Sequence, residues 1–481
     1  MKWEVRVSFF LGRKEELKRL ERLKALKKSV IGVIKGRRRV GKSTLAKEFA
    51  KGSRFISISG NPPMPGTTPQ TQRDSFADQL CAQLHLPKVT FKSWFDAFKF
   101  LGEQIGEEET LVLLDEISWM GDVDPDFLGA LKTWWDEYGS AKKHLILILC
   151  SSISPWIEEN ILCSTGFVGR IALVIHLKPL TILDSLIFLK KKGFKGSAYD
   201  AFKILSVTGG IPWYLDLINV KESADENIYE ICFASSSQLV NEFRTIFHDL
   251  FDKKGATYAS ILKLLVEGMK TQKEIRESLG LDKGGHISQL LSHLVSAGFV
   301  SEHYQWDLKS KKIGRTKLYR LSDCYIRFHL KYVAPHSQKM TQGKTLKGIL
   351  PSWDAIMGFQ LESLLLTNRE FLFDALGLDP DTIACDNPYI QRGTTRHKGC
   401  QIDYLIQTTS NTLILCEFKF RKKELDTSII REIDAKSRSL SAPRGFGKAP
   451  VLFHIGGVSP KVEESPLFYR IIDLRDLFDL S

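Results

Sequence analysis

The chain has 481 residues, of which 43% are hydrophobic and 26% charged, and its formal net charge is +12. That length exceeds one ordinary hydrophobic core, and the composition excludes a disordered or membrane-embedded chain. The longest apolar run, LILILC before Ser151, is far short of a bilayer crossing, and MKWEVRVSFFLGRKEE meets charge before a secretory segment could develop, so a cytoplasmic location without a membrane partner is expected. Its eight cysteines show no CxxC or Cys/His ligand spacing and read as reduced thiols. The charge is uneven: residues 1–42 hold 15 basic and 4 acidic side chains and residues 253–320 hold 13 and 6, whereas residues 43–252 hold 19 and 27 and residues 350–481 hold 16 and 18. Any contact with DNA must therefore be local.

Taken in chain order, FFLGRKEELKRL places Gly12 and Arg13 at the start of a charged amphipathic helix. VIGVIKGRRRVGKSTLAKEFA then reads as a β-branched strand, a glycine turn and a helix. Gly36, Gly41, Lys42 and Ser43, followed by Thr44, fit the phosphate-binding loop G-x-x-x-x-G-K-[ST]; its backbone N–H groups wrap phosphates, Lys42 reaches the β and γ phosphates, and Ser43 ligates Mg²⁺. TLVLLDEISWM ends a second buried strand in Asp115, to hold the same Mg²⁺, and Glu116, to polarise an attacking water. HLILILCSSISPW ends a third strand in Ser151 and Ser152, where a polar side chain could sense the γ-phosphate. Arg170 precedes a further strand, and Gly210 and Pro212 stand in the turn TGGIPWYLDLI.

In this order the motifs resemble the AAA+-related STAND ATPases, in particular the archaeal and bacterial branch with a GRRRVGK-type P-loop, over roughly residues 8–322. The resemblance implies that the segment from Phe10 to Arg13 lies near the adenine, that Asp115 and Glu116 form the Walker B pair, and that Gly210-Ile211-Pro212 closes over ATP or ADP. It implies an arginine finger at Arg170, and with it a nucleotide-dependent homo-oligomer. No arginine occupies the Gly210–Pro212 turn, which departs from many AAA+ proteins and points to slow hydrolysis with the nucleotide acting as a switch.

From Tyr258 the pattern changes to three short helices. Thr271 and Glu274 form a capping-box pair, and a third helix begins near His286 with Ile287, Leu290, Leu291 and Leu294 on one face. FVSEHYQW and TKLYRLSD follow as two strands, joined by a basic turn with Lys309, Lys311, Lys312 and Arg315, and with Lys317 and Arg320 on the returning strand. Three helices and a hairpin form the winged helix-turn-helix plan, which either contacts DNA or packs as a lid. SQKMTQGKTLKG reads as a linker.

In residues 350–481, Ile402 to Gln407 and Leu413 to Phe420 read as a β-hairpin with Asp403 on the first strand and Glu417 and Lys419 on one face of the second. Glu362 lies upstream on a helix, MGFQLESLLL. Asp403 and Glu417 can share a hard divalent ion, Lys419 can orient water, and Glu362 can add a carboxylate. Asp403 followed by Glu417-x-Lys419 resembles the PD-(D/E)xK nuclease fold, and CQIDYLIQ with CEFKF is similar to the C-terminal domain fused to bacterial members of the same ATPase family. That resemblance implies Mg²⁺, or Mn²⁺, at the second site and a contribution from Lys436.

The expected fold class is thus α/β: a P-loop, AAA+-like core with helical lid (1–252), a winged helix (253–322), a linker (323–349) and a restriction-endonuclease-like domain (350–481). The expected function is an ATP switch, slowly hydrolysing, coupled to a metal-dependent DNA nuclease-like domain. The alternatives are the same switch with a catalytically silent C-terminal platform for DNA or protein, and a nucleotide-dependent transcriptional regulator.

Overall fold

The computed structural model describes residues 10–479 except 63, 65, 153–154, 235–236, 238, 241, 244–245, 247–254, 282–285, 342–352, 394 and 396–397. The described residues divide into two compact units, one ending at Leu180 and the other running from Thr181 onward.

The first unit is built on a parallel sheet of five strands, β1 (Val30–Gly36), β2 (Arg54–Ser59), β3 (Thr110–Asp115), β4 (Leu145–Ser152) and β5 (Ile171–Leu177), in the order β2-β3-β4-β1-β5. β1, β3 and β4 are near-continuous apolar runs because both faces of the sheet are covered. On one face Ile31, Val112 and Leu147 pack under an aromatic cluster of Trp94, Phe98, Phe127 and Trp134. On the other, Ile34, Leu113 and Ile148 pack against Leu20, Leu45 and Phe49. β4 thus lies between β1 and β3, and the phosphate-loop candidate and Asp115 both emerge at the carboxyl ends of these strands, where open α/β sheets bind ligands.

The second unit opens with the helices Ile182–Lys192, Ala198–Thr208, Pro212–Asp216 and Ala224–Cys232. The helices Gly255–Leu265, Gln272–Ser278 and His286–Ser296 follow, with a small sheet of β6 (Lys270–Thr271), β7 (Val300–Trp306) and β8 (Ile313–Leu321) in the order β6-β8-β7. Thr271 caps the middle helix, its hydroxyl accepting from the Glu274 N–H while Glu274 reaches back.

Beyond Asp323 the expected linker takes a different form. Residues 324–341 are helical, and Tyr325, Ile326 and Phe328 are buried, so at least this stretch is packed structure; the rest of SQKMTQGKTLKG lies outside the described residues.

Helices Trp353–Thr367 and Arg369–Leu376 lead into a mixed sheet of β9 (Ile383–Gln391), β10 (Cys400–Thr408), β11 (Thr412–Lys419), β12 (Gly447–His454) and β13 (Arg470–Asp473), in the order β13-β12-β11-β10-β9. β9, β10 and β11 are antiparallel; β11, β12 and β13 are parallel, and the helix Ser428–Ser439 makes the crossover from β11 to β12 that a parallel pair requires.

Within this unit the parts share buried contacts. Gln360, fully buried on the helix Trp353–Thr367, donates to the carbonyls of Ser206 and Cys324, each at 2.8 Å. The β7–β8 hairpin sits on the edge of the mixed sheet: the Gln305 amide donates to Pro388 O (3.0 Å) and accepts from Ile390 N (2.9 Å), satisfying backbone groups on edge strand β9. Beside it, Trp306 Nε1 donates to Gln407 Oε1 at 2.6 Å.

Candidate nucleotide and metal sites

In the first unit, Gly41 adopts φ 96°, a left-handed value that suits glycine, and caps the helix Lys42–Phe49. Gly36 is needed for a different reason, since a Cβ there would lie 2.5 Å from the Leu177 carbonyl oxygen. Lys42 is buried, and its ammonium donates to the carbonyls of Gly36 (3.1 Å) and Arg37 (3.4 Å), drawn back along the loop. Ser43 Oγ donates to Asp115 Oδ2 at 2.5 Å, and Asp115 Oδ1 accepts from the Glu116 N–H at 3.1 Å. Thr44 is exposed in the first helical turn.

Glu116 takes a left-handed backbone (φ 48°, ψ 47°), a conformation costing a non-glycine residue on the order of 1 kcal/mol and concentrated at functional sites. Its carboxylate accepts from the backbone N–H and the hydroxyl of Ser152, both at 3.2 Å. The two serines at the end of β4 therefore differ. Ser152 engages the acid, whereas Ser151 is fully buried and bonded to the Ser118 hydroxyl at 2.9 Å, turned into the core instead of toward a phosphate. Strand alternation requires adjacent residues to face opposite ways, so only one could serve.

Gly12 (φ 69°) and Arg13 (φ 63°) form a tight left-handed turn. Arg13 donates to the Val40 carbonyl of the loop at 3.2 Å, and Phe10 packs on the core, which ties this segment to the phosphate loop. Arg170 lies elsewhere in the unit, bidentate on Asp136 at 2.7 and 2.8 Å. Hydrogen bonds from Arg170 and then Lys132 hold the Asp136 carboxyl down at about 2, so a finger action by Arg170 requires this pair to open. In the second unit, Gly210 has φ 72° and Pro212 begins the helix Pro212–Asp216.

Of the C-terminal candidates, Asp403 and Lys436 line a cleft beside β10 and the helix Ser428–Ser439, whereas Glu362, Glu417 and Lys419 are not among its lining residues. Asp403 and Tyr404 stand opposite the single Pro388 of β9, a bulge of the kind that re-aims a side chain at a sheet edge. Asp403 Oδ2 accepts from the Phe418 N–H at 3.0 Å. Glu417, on β11 one step from the Tyr404–Cys416 pair, is 1% exposed; Oε2 is held by the Lys436 ammonium, and Oε1 is buried without a hydrogen-bond partner. Burial, with the charge of Asp403, pushes the Glu417 carboxyl up to about 7, and burial together with Glu362 raises that of Asp403.

Five expected residues, Lys419, Glu362, Arg320, Lys317 and Lys311, sit differently from their assigned places. Lys419 is paired with Glu432 at 2.8 Å, and Lys436 is the lysine that holds Glu417. The Glu432–Lys436 spacing of i, i+4 on a helix was the available signal for these partners. Glu362 is bound by Arg320 at 2.6 Å, so Arg320 faces the mixed sheet's site instead of a phosphate backbone. Lys317 is likewise paired with Glu302, and Lys311 donates to Thr409 O, while Lys309, Lys312 and Arg315 are exposed. Among the described residues no three His, Cys, Asp or Glu side chains are grouped closely enough to hold a metal ion. The hard oxygen donors and the orphaned Glu417 Oε1 nonetheless have the chemistry of a divalent-cation site, as do Ser43 and Asp115 in the first unit. No described helix is long and apolar enough to cross a membrane.

Over 441 residues the chain is 25% identical to an uncharacterised protein of Methanocaldococcus jannaschii, covering 89% of this chain and 92% of that one. Among solved structures it is similar to the Walker-type ATPase of Pyrococcus abyssi (18% identity, TM-score 0.49, covering 67% of this chain and 96% of that one). It is also similar to the ORC2 protein of Aeropyrum pernix in its ADPNP–ADP complexes (17% identity, TM-score 0.45, covering 71% and 96%). Residues 10–218 match the model of an ATPase domain predominantly from Archaea, and with the loop, helix and acid pair described above this part of the chain is an ATPase-type P-loop domain.

Proposed function

We propose that the chain is an ATP-dependent switch whose C-terminal sheet carries a divalent-cation-dependent phosphodiesterase site acting on DNA. Residues 1–252 then form the nucleotide-binding domain and lid, 253–322 a winged helix, and 350–481 a nuclease-like domain. For the nucleotide half, Lys42 moves from its carbonyl partners to the β and γ phosphates, and backbone N–H groups from Gly36 to Ser43 cradle them. Ser43 and Asp115 hold Mg²⁺, which neutralises phosphate charge when bound. Glu116, kept in register by Ser152, orients the attacking water. Gly12 and Arg13 lie near the adenine, and Arg170 acts on a neighbouring copy's nucleotide, which makes the working form an oligomer.

The observation that carries the second half is the buried Glu417 carboxylate with one unpartnered oxygen, adjoining Asp403 and a lysine at an open cleft. A free surface charge would not be driven up toward neutrality, and such perturbed acids cluster at functional sites. Asp403 and Glu417, joined by Glu362 once it leaves Arg320, would hold a cation, Mg²⁺ or Mn²⁺, which would supply a Lewis acid for the phosphodiester there. Lys419 and Lys436 stabilise charge on the phosphate, and exposed Lys309, Lys312 and Arg315 supply local attraction to DNA.

The test is cleavage of supercoiled and linear DNA by the full chain with Mg²⁺ or Mn²⁺, with and without ATP, beside Asp403→Ala and Lys42→Ala proteins. Metal-dependent cutting lost in Asp403→Ala, and altered by ATP only when Lys42 is present, is expected. Absence of cutting with ATP binding intact would establish the silent-platform alternative, which Lys436 on Glu417 already favours to the extent that the ammonium stands where a cation would.

A further inference from the structure

β8 leaves the basic hairpin exposed and ends buried, and Arg320 lies at the buried end, 8% exposed. Its guanidinium donates to Glu362 Oε1 at 2.6 Å and to Ser363 Oγ at 3.1 Å, with both members of the ion pair largely out of solvent. Arg320 thus comes from the three-helix-and-hairpin segment, while Glu362 belongs to the helix that flanks the C-terminal site. The helix Trp353–Thr367 packs against β11, the strand that carries Glu417, and the charge of Glu362 is one cause of the raised Asp403 carboxyl. Each of the three candidate acids is already engaged: Glu362 by Arg320, Asp403 by the Phe418 N–H and Glu417 by Lys436. A cation seeking Glu362 must compete with a fixed guanidinium in a partly dry setting, where removing one charge partner is felt strongly.

We propose that Arg320 is a positioning residue that withholds Glu362 from the C-terminal site, so that its release from Glu362 completes the oxygen set and couples the 255–321 segment to cation binding. This rests on reading Asp403, Glu417 and Glu362 as a cation site. The geometry explains why the strand following the basic turn ends in a buried arginine, which a DNA-contacting wing would instead leave exposed. It also gives that segment a way to act on the site without touching DNA.

The test is Mn²⁺ binding to the full chain, followed by electron paramagnetic resonance of free Mn²⁺ and by Mn²⁺-induced thermal stabilisation. An Asp115→Asn background removes the P-loop's own cation site. Arg320→Gln is expected to bind Mn²⁺ about tenfold more tightly than the background protein, because a positive charge departs and Glu362 becomes free to ligate. In Glu362→Gln, and in the double variant Arg320→Gln/Glu362→Gln, the gain should vanish. Arg320→Lys, which keeps the charge without the planar fork, should fall between, and it decides the matter if Arg320→Gln does not fold. Asp403-dependent binding that is unchanged or weakened in Arg320→Gln, or a gain that persists without Glu362, overturns the proposal alone. No Asp403-dependent binding in any variant overturns the cation-site reading and the proposal with it.

Discussion

Protonating His303 is expected to loosen the contact between the β7–β8 hairpin and β9. The imidazole is 1% exposed; Nε2 meets the Ser301 hydroxyl at 2.8 Å and Nδ1 meets Asn387 Oδ1 at 2.9 Å. Asn387 Oδ1 also accepts from Arg369 at 3.1 Å, so it is an acceptor, and the network assigns the neutral tautomer with the proton on Nδ1. Burial, then the nearby charges of Arg320 and Arg369, lower the His303 pKa from 6.5 to about 4. A depressed folded-state value means that the unfolded chain binds the proton first. Stability from this residue is therefore present above pH 6.5 and lost as pH falls toward 4, by about 3 kcal/mol in full and about 1.4 kcal/mol by pH 5.5. Urea unfolding of wild type and His303→Asn between pH 7.5 and 4.5 checks this, because carboxylates common to both cancel in the difference. The difference should narrow with acid along that curve. Parallel pH profiles for the two proteins would refute the assignment of a buried neutral imidazole.

Three further outcomes follow from the geometry. Gly36→Ala should lose more stability than Gly41→Ala: the first forces a Cβ to within 2.5 Å of a backbone oxygen, at a cost of about 1–3 kcal/mol or more, while the second meets no atom within 4 Å and bears only left-handed strain of about 1–2 kcal/mol. Thermal unfolding of the two variants gives the order, and the reverse order would contradict it. Trp306→Phe should destabilise the second unit by about 1–3 kcal/mol, because Gln407 Oε1 loses its buried donor; a change within error in urea unfolding counts against that bond. Arg170→Ala should leave thermal unfolding close to that of the wild type, since its pair with Asp136 is partly exposed and screened. If Arg170 is a finger acting in trans, Arg170→Ala should lose ATP turnover while retaining ATP binding, and mixing it with Lys42→Ala protein should restore turnover. A mixture as inactive as its components would exclude that role.

Sequence alone carried the local structure far. The glycines at 36 and 41, the β-branched run before them and the acids after TLVLL specify a strand, loop and helix through backbone sterics and burial, and these need only near neighbours. The Thr271–Glu274 cap and the hairpin carrying Asp403 and Glu417 were legible for the same reason: capping and strand alternation act over a few residues. What the tertiary structure decided is which partner each charge finds. Ser152 over Ser151 at Glu116, Lys436 over Lys419 at Glu417, Asp136 on Arg170 and Glu362 on Arg320 all depend on elements distant in sequence brought within hydrogen-bonding reach. The helical, buried stretch after Asp323 belongs to the same class. Its polar and glycine-rich continuation signals a loop, yet Tyr325, Ile326 and Phe328 gain more from burial against the neighbouring helices than local propensity opposes. Backbone preference is written residue by residue, whereas charge pairing and burial are settled only when the chain has closed on itself.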